Sequence, residues 1–157
     1  MKQNSQLSDV LHVLLHMAES ETPLTSETLA LAMQTHPVVL RRLMGGLREA
    51  GFVGSARGHG GGWVLTCSLD QVTLRDVHEA LGAPALVSLG FREDRPECLV
   101  AQAVNDALSG AVQAAEAALL QRLDGVTLAT LSRDFHQRLL VRGAHPRRPE
   151  EHLHDLH

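Results

Sequence analysis

The sequence predicts a mainly α fold with a small β-hairpin wing: a winged helix-turn-helix followed by a long dimerisation helix. Three observations carry this. Residues 25–65 pass through two short amphipathic helical patterns, a helix stop, and a glycine-rich hairpin that returns in aliphatic residues. Residues 99–123 hold the longest helical pattern of the chain, with small and large apolar residues alternating along it as a close helix pair requires. Tyrosine is absent, with one tryptophan and three phenylalanines among 157 residues, so the core has to be built from Leu, Val and Ala.

The elements follow in order. Leu7, Val10, Leu11, Leu14, Leu15 and Ala18 recur at helical spacing and predict a first helix over 5–19, closed by the polar run 20–22 and Pro23. Thr25 is placed to cap a second helix over 26–33, with Leu29, Ala32 and Met33 inward. Residues 34–36 form a turn. Pro37 suits the first position of a third helix, where its missing N–H has no intrahelical partner. Val38 or Val39, with Leu40, Leu43 and Leu47, supply the buried side of that helix, and His36, Arg41, Arg42 and Arg48 are placed to face outward. Gly45 and Gly46 each cost about 1 kcal/mol of helical tendency, which predicts the close passage of another backbone or a short break. Gly51 stops the helix, Phe52 and Val53 open a strand, residues 54–62 form the wing tip, and 63–65 return, with Trp63 packing the wing on the helical body. A short helix over 72–81 is led by Thr73, keeps Leu74, Val77 and Leu81 inward, and ends at Gly82 and Pro84. The long helix breaks at Asp124 and Gly125, and a last helix over 127–140 carries Leu128, Leu131, Phe135 and Leu139.

These boundaries divide the chain into a winged helix-turn-helix over 1–82, a connecting, sensor-like loop over 83–97, a dimerisation and closing-helix segment over 98–141, and a tail over 142–157 whose composition predicts disorder.

Charge narrows the function. A net charge of −4 argues against nonspecific coating of polyanions. Within residues 36–63, however, Arg41, Arg42, Arg48 and Arg57 stand against Glu49 alone. A local basic stripe in an acidic protein suits a reader of duplex DNA, which needs phosphate contacts only where it docks. The scarcity of aromatic residues excludes a stacking platform for single strands. Gly58, Gly60, Gly61 and Gly62 around His59 let the wing tip approach a DNA backbone, and they lack the Lys and Ser or Thr of an ATP-binding loop. No apolar run reaches membrane-spanning length and no signal-peptide pattern opens the chain, so a cytoplasmic protein without a membrane partner is expected. No nucleophile, base and orienting group recur as a constellation, so an enzyme is not expected. The competing class is a protein–protein adaptor built on the same body.

Cys67 and Cys98 are too few for a disulfide scaffold or a four-thiolate metal site. Cys98 lies at the start of the long helix, where the dipole favours a thiolate, and it is the candidate sensor of oxidants or electrophiles; packing at the helix end is the alternative. Sensing of a small ligand or a metal is the other route. His12 and His16 lie one helical turn apart, near enough to share a cation, although sequence shows no third ligand.

RLMGGLREAGFV, RGHGGGWVLT and VTLRDVHEAL occur in this order, and together they resemble the Rrf2 family of bacterial transcriptional regulators over about residues 7–131. TSETLALAMQTHPVVLRRL and the PEC segment at 96–98 most resemble its YwnA-type subgroup. The resemblance implies a homodimer that binds double-stranded operator DNA of approximate two-fold symmetry, and a repressor is the expected mode of action. By the same resemblance His36, Pro37, Val38, Arg41 and Arg42 enter the major groove, and Arg57, flanked by Gly58, His59 and Gly60, reaches the minor groove. The apolar stripe of the long helix places Val104, Leu108, Val112, Ala115 and Leu119 at the dimer seam. Cluster-binding members carry three cysteines before the long helix, where this chain has Cys98 alone. A rarer arrangement uses a carboxylate and a histidine of the first helix with two loop cysteines. Here His12 matches the histidine, Ser8 stands at the carboxylate's place beside Asp9, and the second cysteine is missing. No cofactor, and no iron–sulfur cluster, is expected.

Overall fold

The computed structural model describes residues 6–90 and 97–141. Residues 91–96 of the predicted connection and the predicted tail 142–157 lie outside them. The elements are α1 (Gln6–Glu19), α2 (Ser26–Ala32), α3 (Pro37–Glu49), β1 (Val53–Ala56), β2 (Gly62–Leu65), α4 (Leu74–Ala80), α5 (Leu99–Asp124) and α6 (Leu128–Val141). This is the mainly α architecture with one hairpin and a long helix that the sequence predicts.

The core is aliphatic. Val10, Val13 and Leu14 of α1, Leu29 of α2, Leu40, Met44 and Leu47 of α3, Val53 of β1, Val77 of α4 and Leu128 of α6 are all fully buried. Burial of each such side chain contributes about 1.5–3 kcal/mol, which is how a chain with so few aromatics is held together. Three expected inward sets change. In α1, Val13 and Met17 join Val10 and Leu14 in the core, while Leu11, Leu15 and Ala18 are half-buried. Ala30, not Ala32, joins Leu29 in the core, and Val38 and Val39 are both exposed, because the first turn of α3 projects beyond the helices that cover Leu40, Leu43 and Leu47.

The predicted caps form. Thr25 Oγ1 accepts the Thr28 N–H at 3.2 Å. Thr73 and Asp76 make a reciprocal capping box, with Asp76 N–H donating to Thr73 Oγ1 at 3.1 Å and Thr73 N–H donating to Asp76 Oδ2 at 2.8 Å. α4 begins at Leu74 rather than 72 because Val72 has another partner: its carbonyl accepts the Leu128 N–H, and the Leu74 N–H donates to Val126 O, both at 2.9 Å. This short antiparallel bridge, Thr73 opposite Thr127, ties the start of α6 to the start of α4.

The hairpin pairs Val53 with Leu65 and Ala56 with Gly62. Pairing therefore claims residues 54–56 and 62 from the expected tip of 54–62, leaving 57–61. Leu24, in the α1–α2 connection, adds a bridge to Trp63: Trp63 N–H donates to Leu24 O at 2.8 Å and Leu24 N–H to Trp63 O at 3.0 Å. Trp63 Nε1 also donates to Ser26 Oγ at 3.0 Å, fastening the wing to α2.

α3 is unbroken through its two glycines. A Cβ on Gly46 would lie 2.4 Å from the Ala80 carbonyl oxygen, so α4 passes close at that point, while Gly45 has nothing within 4 Å.

α5 differs from the rest. None of its 26 residues is buried. Glu116 faces the segment that follows α4, its Oε1 accepting the Leu86 N–H at 2.9 Å, and Val112, one turn earlier, is half-buried. On another side Val100, Val104, Ala107, Ala111 and Ala118 are exposed, Val100 at 72% and Val104 at 50%. No helix of the described residues is long and apolar enough to cross a membrane.

Candidate nucleic-acid interface

His36 is the N-cap of α3. Its backbone is extended and its Nδ1 accepts the Val38 N–H at 3.3 Å, leaving Nε2 to carry the ring proton as an outward donor. Pro37 follows at the start of the helix. Val38 is 61% exposed, and Val39, Arg41 and Arg42 are exposed as well. Arg41 Nε donates back to the Pro37 carbonyl at 3.3 Å, which draws its guanidinium toward the N-terminal end of α3. That end combines a ring N–H, two guanidinium groups and a patch of exposed methyls. These are the chemical types that read guanine edges, phosphates and thymine methyls in a major groove. The first turn contains no acidic residue to oppose a phosphate.

Arg57, Gly58, His59 and Gly60 are all exposed at the wing tip. The turn requires glycine in part: Gly58 and Gly60 adopt φ of 100° and 78°, and Gly61 closes it by donating to the Gly58 carbonyl at 3.0 Å. A Cβ on Gly61 would lie 2.5 Å from Ala56 O. The tip is thin, and a cation sits on its first residue.

The structure thus brings His36, Pro37, Val38, Arg41 and Arg42 together on one helix end and Arg57, Gly58, His59 and Gly60 on one hairpin tip. Val39 belongs with the first group. Sequence periodicity missed it because a helix start that overhangs its support looks like part of the apolar stripe. Among the residues predicted for a dimer seam, Val104, Ala115 and Leu119 are exposed, whereas Leu108 and Val112 are half-buried.

The two cysteines occupy different settings. Cys98 is the half-buried N-cap of α5, its side chain making no capping hydrogen bond. Cys67 is packed against the core at the exit of β2, and burial pushes its thiol up from the ordinary range. A raised thiol is short of the reactive thiolate. With limiting bromobimane at neutral pH, peptide mapping is therefore expected to find Cys98 labelled several-fold faster than Cys67; equal or reversed labelling would remove Cys98 from consideration as a sensor.

Residues 3–134 match the family model described as Rrf2, Iron-dependent Transcriptional regulator. Over 83 residues the chain is 35% identical to YwgB of Bacillus subtilis (strain 168), a candidate HTH-type transcriptional regulator. That match covers 52% of this chain and 53% of YwgB, so the chain spans about half the length of this curated relative. Among solved structures, a candidate transcriptional regulator from Lactobacillus plantarum is similar with a TM-score of 0.69 at 19% identity, covering 86% of this chain and 92% of that one. CymR (YrzC), the global cysteine regulator of B. subtilis, is similar with a TM-score of 0.52 at 24% identity, covering 85% of this chain and 95% of its own. At these identities the two structures establish the fold.

Proposed function

The chain belongs to the Rrf2 family of winged helix-turn-helix transcriptional regulators, and from that premise we propose that it is a cytoplasmic homodimer that binds operator DNA of approximate two-fold symmetry and represses the promoters it occupies. The observation that carries this is the N-terminal end of α3, where His36, Val38, Arg41 and Arg42 are presented outward with no acidic residue in the turn. In this reading residues 1–82 dock on DNA, Arg57 enters the minor groove, and residues 98–141 pair the protomers through α5, with 83–97 coupling the two. The likeness of residues 25–43 and 96–98 to YwnA-type members belongs to the same proposal.

The test is selection of bound duplexes from a randomised pool, followed by titration at fixed salt. An inverted-repeat operator is expected, with affinity falling steeply as salt rises. Arg57→Ala should weaken that operator by about 1–3 kcal/mol with the oligomeric state unchanged. Unaltered affinity would take Arg57 off the interface. No duplex retained at any salt would return the fold to an adaptor role.

The family description names iron, and the donors here do not fit a cysteine-ligated cluster. Cys67 and Cys98 are the chain's two cysteines, one at the exit of the wing and the other at the start of α5. A response through Cys98 is the signal we propose instead: oxidation or alkylation at the first turn of α5 alters the seam that sets the spacing of the two α3 helices.

A further inference from the structure

We propose that His12, His16 and Glu19 form a site for a divalent transition ion of the zinc, nickel or copper type, at the seam between α1 and α6. The inference does not depend on the DNA-binding reading. The two imidazoles approach through the same atoms: His12 Nε2 and His16 Nε2 are 2.8 Å apart, with ring centroids at 4.5 Å. In the absence of metal this is an N–H···N hydrogen bond, one ring donating to the other's lone pair. The geometry is also nearly that of a chelate. With metal–nitrogen bonds of about 2.0–2.1 Å, two nitrogens bound to one ion stand about 2.9 Å apart at a right angle and about 3.4 Å apart at the tetrahedral angle, so a small opening of the pair admits the ion.

Glu19 lies on the same helical face, three residues beyond His16 and seven beyond His12. A cleft of about 100 Å³ is lined by His12, Leu15, His16, Glu19 and Phe135. Its volume holds an ion with coordinated water, and Leu15 and Phe135 give it an apolar wall. Glu19 Oε2 pairs with His136 Nε2 of α6 at 3.2 Å, which keeps the carboxylate beside the cleft it lines in the metal-free protein. Among the described residues no three His, Cys, Asp or Glu side chains are gathered around one point in these rotamers. The third donor therefore arrives by rotation of Glu19 when the ion binds. His78 is buried in α4 and does not line the cleft. Two imidazoles with one carboxylate select zinc, nickel or copper over magnesium and calcium, which prefer all-oxygen shells.

The test is titration of the full-length chain with zinc chloride against a chromogenic chelator. The protein carries His145→Ala, His152→Ala, His154→Ala and His157→Ala so that the tail does not compete. One zinc per chain is expected, with a melting temperature that rises with the logarithm of free zinc and no response to magnesium. His12→Ala and His16→Ala should each weaken binding at least about tenfold, and each should show an unchanged melting temperature in zinc-free buffer if folding is intact. His12→Gln provides a second variant should the alanine forms prove unstable. Glu19→Gln should weaken binding several-fold, and its full retention of affinity would overturn the assignment of the third donor. Substoichiometric zinc, or affinity unaffected by either histidine substitution, would overturn the site.

Discussion

Replacing Val104 with aspartate is expected to leave the protein monomeric and to abolish tight operator binding. A 26-residue helix with no buried position, exposing Leu99 at 76% along with Val100 and Val104, keeps a contiguous apolar face in water unless something covers it. A second copy of α5 is the proposed cover, and the exposed alanines at 107, 111 and 118 allow the two backbones to come close. In a two-fold interface one substitution places two carboxylates in the same seam, and each loses hydration with no partner. An unpaired interfacial charge costs about 2–5 kcal/mol, and here the cost enters twice. Operator binding falls with the dimer because a single half-site loses the effective concentration supplied by its twin. Sedimentation and operator titration of Val104→Asp and Ala111→Asp check this, with Val112→Asp as the contrast: Val112 is half-buried on the Glu116 side of α5, so its loss should appear first as a lower melting temperature. An unchanged dimer in both Val104→Asp and Ala111→Asp would place the interface elsewhere.

Gly46→Ala is expected to destabilise the fold by about 3 kcal/mol, whereas Gly45→Ala, one residue earlier, should stabilise it by up to about 1 kcal/mol. Both glycines lie within α3 and carry the same helical penalty. A Cβ at Gly46 would stand 2.4 Å from the backbone oxygen of Ala80, which cannot swing aside as a side chain can, so α3 and α4 must separate. The separation would loosen contacts around Leu47 and Val77, both fully buried. At Gly45 the added methyl meets nothing within 4 Å, so only the gain in helical tendency remains. Urea denaturation of the two variants reads the opposite signs directly; shifts in the same direction would contradict the close passage of α4.

How much was legible beforehand depends on the range over which each feature is determined. Thr25, Thr73 and Pro37 act on groups within a turn of themselves, and their helices start where these residues place them. The apolar spacing of α1 is likewise local, and Val10, Leu14 and the central residues of α3 are buried as periodicity requires. The helix end and the hairpin tip that carry the candidate DNA-contacting residues were legible for the same reason, since each is one short run of sequence. Periodicity failed at Val38 and Val39, where an apolar pair continues the stripe past the point at which anything covers it.

By itself, then, the sequence determined the kind and order of the elements, their caps, and the basic and glycine-rich runs that place the candidate interface. The tertiary structure decided the matters that depend on which distant segment lies alongside: that Gly46 rather than Gly45 meets α4, that Leu24 joins the wing and trims its tip to 57–61, that residues 72 and 128 share a hydrogen bond, that Glu116 of α5 meets Leu86 while Val104 is left exposed, and that Glu19 meets His136. The physical reason is that helix periodicity and capping are interactions among residues at most four apart, whereas a backbone contact between residues tens of positions apart leaves no period in the sequence and exists only once the core has brought its two sides together.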